Sequence, residues 1–130
     1  MPAPAKVVDA SALAALLFGE PQAEQIADRL GQSPLIAPTL LAFEIASVCL
    51  QKLRRYPSRR DSVLAAHLLS RQMNIKAVNV NFDDVVSLAE ETSLTVYDAS
   101  YLWLAQTLDA ELVTLDAALA KQARRRTPHP

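Results

Sequence analysis

A single cysteine, Cys49, stands in 130 residues. No disulfide can close within the chain, and a reducing, intracellular setting is the expectation. Cys49 lies between Val48 and Leu50 and one turn from Ile45, surroundings that suit a buried structural thiol rather than a nucleophile. No apolar run approaches the roughly 18 to 20 residues of a membrane span. The opening M-P-A-P-A-K-V-V-D is too short and too soon charged for a secretory signal, so a cytoplasmic protein with no membrane partner is expected. Charge of one sign is lacking too: 13 Lys and Arg against 14 Asp and Glu leave a net −1, which gives no overall attraction to nucleic acid. Hydrophobic residues make up 51% and charged ones 21%, which excludes a disordered or collagen-like chain. The length suits one domain with a real core, taken as 1–130 with 1–4 and 127–130 as flexible ends.

The charge that is present is grouped. Lys52, Arg54 and Arg55 are followed by Arg59 and Arg60, and Lys121 by Arg124, Arg125 and Arg126. Such groups can form a phosphate-binding patch, with Arg54, Arg55, Arg59 and Arg60 as the candidates for RNA contact. They equally suit solvated helix ends, where cations answer the helix dipole.

Along the chain, strands and helices alternate. Lys6-Val7-Val8-Asp9 reads as a short buried strand, and Ala12 to Phe18 as a helix that Gly19 ends. Pro21 fits the first turn of a second helix, which Gly31 closes. Leu35-Ile36-Ala37 is a second strand, and Thr39 a cap for a helix over about Leu40 to Arg55. Tyr56-Pro57-Ser58 breaks it, and Ser58 caps another helix to about Met73. Lys76 to Val80 alternates like a third strand, and Asn81 caps a helix carrying Val85, Val86, Leu88 and Ala89. Asp98 opens a helix with Tyr101, Leu102 and Ala105 on one face. Leu112 to Leu115 is a fourth strand, and Asp116 starts the last helix. This alternation predicts a three-layer α/β/α sandwich around a mainly parallel sheet.

Four acids merit attention within that order. Asp9, Asp98 and Asp116 each stand at a helix start, where an aspartate is ordinarily a cap contributing about 1 kcal/mol. Glu44 lies between Phe43 and Ile45 in a largely apolar helix, where a carboxylate is costly unless paired or ligated; an arginine partner would satisfy it. Taken together they point further. If the first and fourth strands are neighbours, Asp9 and Asp116 share the crevice at the strands' carboxyl ends, and Asp98 and Glu44 can join them. Carboxylates so gathered repel one another and call for a cation. An oxygen-only set, with His67 and His129 placed elsewhere, favours Mg²⁺ or Mn²⁺ over zinc. Such a site suits phosphodiester hydrolysis. Ser11 and Thr114 could tune it by hydrogen bonds to the ligands, or serve only as strand-end and cap residues.

The segments V-V-D-A-S-A-L at Val7 to Leu13, V-Y-D-A-S-Y-L-W-L-A at Val96 to Ala105 and E-L-V-T-L-D-A-A-L at Glu111 to Leu119, with the lone helical Glu44, resemble a PIN domain. The similarity is to the VapC toxins of bacterial and archaeal toxin–antitoxin pairs, and it includes the separation 116 − 98 = 18 between the last two acids. It implies that Asp9, Glu44, Asp98 and Asp116 hold Mg²⁺ or Mn²⁺, with Ser11 and Thr114 as the motif hydroxyls. It implies endoribonuclease cleavage of tRNA or ribosomal RNA, a homodimer, and a small antitoxin whose tail enters the active-site groove. Members usually end in a fifth strand, so four or five strands are expected; here R-R-R-T-P-H-P takes its place. An RNA-processing or DNA-directed nuclease, and a non-catalytic module on the same fold, remain the alternatives.

Overall fold

A computed structural model of the chain describes residues 3–126. Four strands, β1 (Lys6–Val8), β2 (Leu35–Pro38), β3 (Ile75–Val78) and β4 (Glu111–Val113), form one parallel sheet in the order β3-β2-β1-β4. Seven helices connect and cover it: α1 (Ala10–Leu17), α2 (Ala23–Leu30), α3 (Leu41–Arg55), α4 (Arg60–Gln72), α5 (Phe82–Thr92), α6 (Val96–Leu108) and α7 (Ala117–Arg126). The connections β1 to β2 and β2 to β3 step one way across the sheet, and β3 to β4 steps back past β1. Right-handed crossovers therefore put α1–α4 on one face and α5 and α6 on the other, and α7, which follows β4, packs against α6. The packing agrees: α1 lies against α2, α3 and α4, while α6 lies against α5, α7, β1 and β2.

The reversal leaves β1 and β4 adjacent, in register from Lys6 opposite Glu111 to Val8 opposite Val113. This pair is the topological switch point, and the crevice outside its carboxyl end is where ligands of such sheets bind. Val7, Val8 and Val113 are fully buried, because strands covered on both faces need apolar residues at every position rather than alternate ones. With Leu13, Ile26, Leu102, Leu104 and Leu119 they form one continuous core. Among the described residues no helix is long and apolar enough to cross a membrane.

Several boundaries differ from those expected. Strand β3 begins one residue early and stops at Val78, and β4 starts at Glu111 and stops at Val113, since neither has a ladder partner beyond those points. Thr39 and Ser58 are not side-chain caps: α3 starts after Leu40, and Ser58 lies within a 3-10 turn over Pro57–Arg59. Asp98 is not the cap of α6 either. Thr95 is, accepting the Asp98 N–H at 3.1 Å, and Asp98 stands inside the first turn. Val86 is exposed on α5 rather than part of its core face. No strand follows α7 among the described residues, and the tail 127–130 lies outside them.

Candidate active site

Asp9 is placed by the sheet itself. Its N–H donates to the Val113 carbonyl at 3.2 Å, which carries the β1–β4 pairing one residue past the strand, and its side chain caps α1. The carboxylate is 4% exposed and held at both oxygens. Oδ1 accepts from the Ala12 N–H at 3.0 Å and the Ser11 hydroxyl at 2.7 Å, and Oδ2 accepts from the Thr114 hydroxyl. Each hydroxyl also receives a backbone N–H from the segment after β4: Leu115 donates to Ser11 Oγ and Asp116 to Thr114 Oγ1, both at 3.0 Å. The two hydroxyls thus staple the end of β4 to the end of β1. Asp116 Oδ1 in turn accepts the Leu119 N–H at 2.8 Å at the start of α7.

The other two acids arrive from helices on opposite faces. Glu44 lies in the first turn of α3 and Asp98 in that of α6. Tyr101, one turn after Asp98 and 1% exposed, donates its hydroxyl to Glu44 Oε1 at 2.6 Å. That partner was not legible as such: Tyr101 reads as a core residue, and the signal available was only that a buried tyrosine hydroxyl needs an acceptor. Glu44 is satisfied by this phenol, not by an arginine.

The four carboxylates feel one another. Burial raises the Asp9 carboxyl above the usual range against the pull of Thr114, Ala12 and Ser11, and Asp116 adds repulsion. Burial likewise raises Glu44, opposed by Tyr101 and reinforced by Asp98 and Asp9. Asp98 is raised by burial, then by Asp116 and Asp9, with Thr95 opposing. None of the ion pairs among the described residues involves any of the four. No three acid, His or Cys side chains among those residues stand in a closed ligating group, so the carboxylates interact without being drawn together. The donor set itself fits a hard divalent cation: carboxylate oxygens, those of Asp9 held by three donors in all, with no cation ion-paired to any of the four among the described residues.

The grouped cations separate. Lys52 and Arg55 line a cavity with Ser11, whereas Arg54, Arg59 and Arg60 do not. Arg124 and Arg125 line a different groove with Arg29. Cys49 is buried, and burial raises its thiol further from reactivity.

The PIN domain family model matches residues 6–125. The chain belongs to the PIN-domain family. Within it, the similarity is to VapC ribonucleases: 36% identity to ribonuclease VapC3 of Pyrobaculum aerophilum, over 89% of this chain and 92% of that protein. Ribonuclease VapC9 of Mycobacterium tuberculosis is 35% identical over 94% of each chain. A solved structure from Pyrobaculum aerophilum matches with a TM-score of 0.66 and 23% identity, covering 94% of this chain and 89% of that one. VapC20 of Mycobacterium tuberculosis, a toxin that cleaves the sarcin–ricin loop, matches with a TM-score of 0.63 and 13% identity over 92% and 95%. The two structures share the fold.

Proposed function

We propose that this chain is a toxin endoribonuclease that hydrolyses RNA phosphodiester bonds with Mg²⁺ or Mn²⁺ held by Asp9, Asp98 and Asp116, assisted by Glu44. The observation that carries the reading is that the carboxyls of Asp9, Glu44 and Asp98 are raised by burial and by neighbouring carboxylates, Asp116 among them, with Asp9 at the switch point of the sheet. The names of its relatives, all VapC ribonucleases, support the RNA substrate.

A bound divalent ion would polarise the scissile phosphate and make water a better nucleophile. The residues around it supply positioning. Three donors fix both Asp9 oxygens, so its charge is presented in one orientation. The Thr114 hydroxyl, received by Asp9 and receiving the Asp116 N–H, ties two of the acids to each other. Tyr101 holds Oε1 of Glu44; the other oxygen, Oε2, is the atom that would orient the attacking water and accept its proton. Carried over with the VapC reading are a tRNA or ribosomal RNA target, a cognate antitoxin, a homodimer and a cytoplasmic setting.

The test is incubation of purified, antitoxin-free protein with total RNA in Mg²⁺, Mn²⁺ or EDTA, beside Asp9→Ala. Discrete fragments that need metal and vanish in the variant are expected. Folded protein that cuts nothing under either metal would overturn the reading in favour of a binding module.

A further inference from the structure

Beside the carboxylates opens a cavity of about 560 Å³, within the roughly 300–1,000 Å³ range of small-ligand sites. Its wall includes Ser11, Gln22, Gln51, Lys52, Arg55 and Tyr56. Ser11 donates to Asp9 Oδ1 at 2.7 Å, so the cavity and the acid crevice share a wall. Glu20, also in the wall, pairs with Lys52 at 3.2 Å, which leaves the side chain of Arg55 to set the local sign. The Tyr56 ring draws the guanidinium groups of Arg55, in the wall, and Arg59, outside it, to 5.4 and 5.1 Å from its centre, which holds both charges near the ring. Gln22 and Gln51 add amide donors and acceptors.

A polyanion that approaches four carboxylates is repelled unless cations flank its path. A cation beside an aromatic ring is what single-stranded nucleic acid uses, phosphate on the charge and base on the ring. We propose that this cavity holds the nucleotide adjoining the scissile phosphate of single-stranded RNA, with Arg55 meeting its phosphate and Tyr56 its base. The assignment rests on the ribonuclease reading and adds where the substrate is gripped.

The test is fluorescence anisotropy with a labelled, unstructured 12-nucleotide RNA of mixed sequence in EDTA, where cleavage is blocked, repeated across a salt series. Tyr56→Ala should weaken binding about tenfold, and Tyr56→Phe, which keeps the ring, should restore it. Arg55→Gln should reduce the slope of log affinity against log salt by about 0.7, the loss of one phosphate contact on a single strand. Lys76→Gln, on the edge strand β3, should bind like wild type. Wild-type affinity and slope in both cavity variants would overturn the proposal. So would unchanged RNA binding with lost binding of a co-expressed antitoxin, which would make the cavity a protein groove. If wild type cleaves RNA and the variants keep its KM, the subsite fails and the nuclease reading stands. If wild type binds RNA through these residues but never cuts it, the nuclease reading fails and the cavity stands only as a single-stranded RNA site.

Discussion

Replacing Tyr101 by phenylalanine removes one oxygen from a residue that is 1% exposed and leaves its ring in the core. What is lost is the 2.6 Å bond to Glu44 Oε1. Burial, and then the Glu44 carboxylate, hold the phenol protonated far above its usual range, so the bond has one direction and the carboxylate loses a donor. A hydrogen bond to a charged acceptor is worth about 1.5–3 kcal/mol net. Glu44 is half-buried and water can take part of the place, so a value at or just below that range, about 1–1.5 kcal/mol, is expected. For a chain of this size that lowers Tm by about 4–6 °C in scanning calorimetry with EDTA. Glu44→Ala confuses the comparison on its own, because it also relieves repulsion from Asp98 and Asp9. The double variant separates the two effects, and a coupling energy of about 1 kcal/mol is expected between the positions. In cleavage, a carboxylate free to rotate should lower kcat about tenfold, some 1.4 kcal/mol, at unchanged KM. Additive variants with wild-type kcat would refute the claim that Tyr101 positions Glu44.

Asp98→Asn should abolish cleavage while keeping the fold, and without metal its Tm should equal or exceed that of wild type, since a carboxylate raised by burial and by Asp116 and Asp9 is neutralised; a wild-type cleavage rate would remove Asp98 from the site. Asp9, Glu44 and Asp98 have folded pKa values above their unfolded ones. Their contribution is fully present below the unfolded pKa, about 4, and is lost as pH rises through the folded values. Metal-free protein should therefore lose Tm over that rise, and saturating Mn²⁺ should cancel the loss by binding the charged forms; equal pH profiles with EDTA and Mn²⁺ would count against the cation. Thr114→Val, at a position 5% exposed, strips a donor from Asp9 and an acceptor from the Asp116 N–H. It should cost about 2 kcal/mol in denaturant unfolding and weaken Mn²⁺ binding in calorimetric titration.

Much of the fold was written locally. The β-branched Val7-Val8 pair gave β1, the short apolar run between Pro34 and Pro38 gave β2, and Asn81 and Asp9 announced the helices that they cap, because a cap is a contact within three residues. The missed caps have the same cause in reverse. Thr95 and Asp98 are both good cap residues three apart, and only the backbone's extended conformation at Thr95 decides between them. The lengths of β3 and β4 depended on partners that a strand's own residues do not name.

The sequence by itself determined the identities and order of the four acids, the absence of a soft-ligand set, and the alternation that builds a parallel sheet. Those are properties of residue type and short-range spacing. Tertiary structure alone decided that β4 lies beside β1, which sets Asp116 next to Asp9. It alone joined Ser11 to Thr114, 103 residues apart, and paired Tyr101 with Glu44 across 57. It also divided the basic residues, placing Lys52 and Arg55 in the wall of the cavity that Ser11 shares, a cavity that Arg54, Arg59 and Arg60 do not line. Long-range partners are fixed by how the crossovers stack helices on the two faces of the sheet, and no local pattern of residues carries that information.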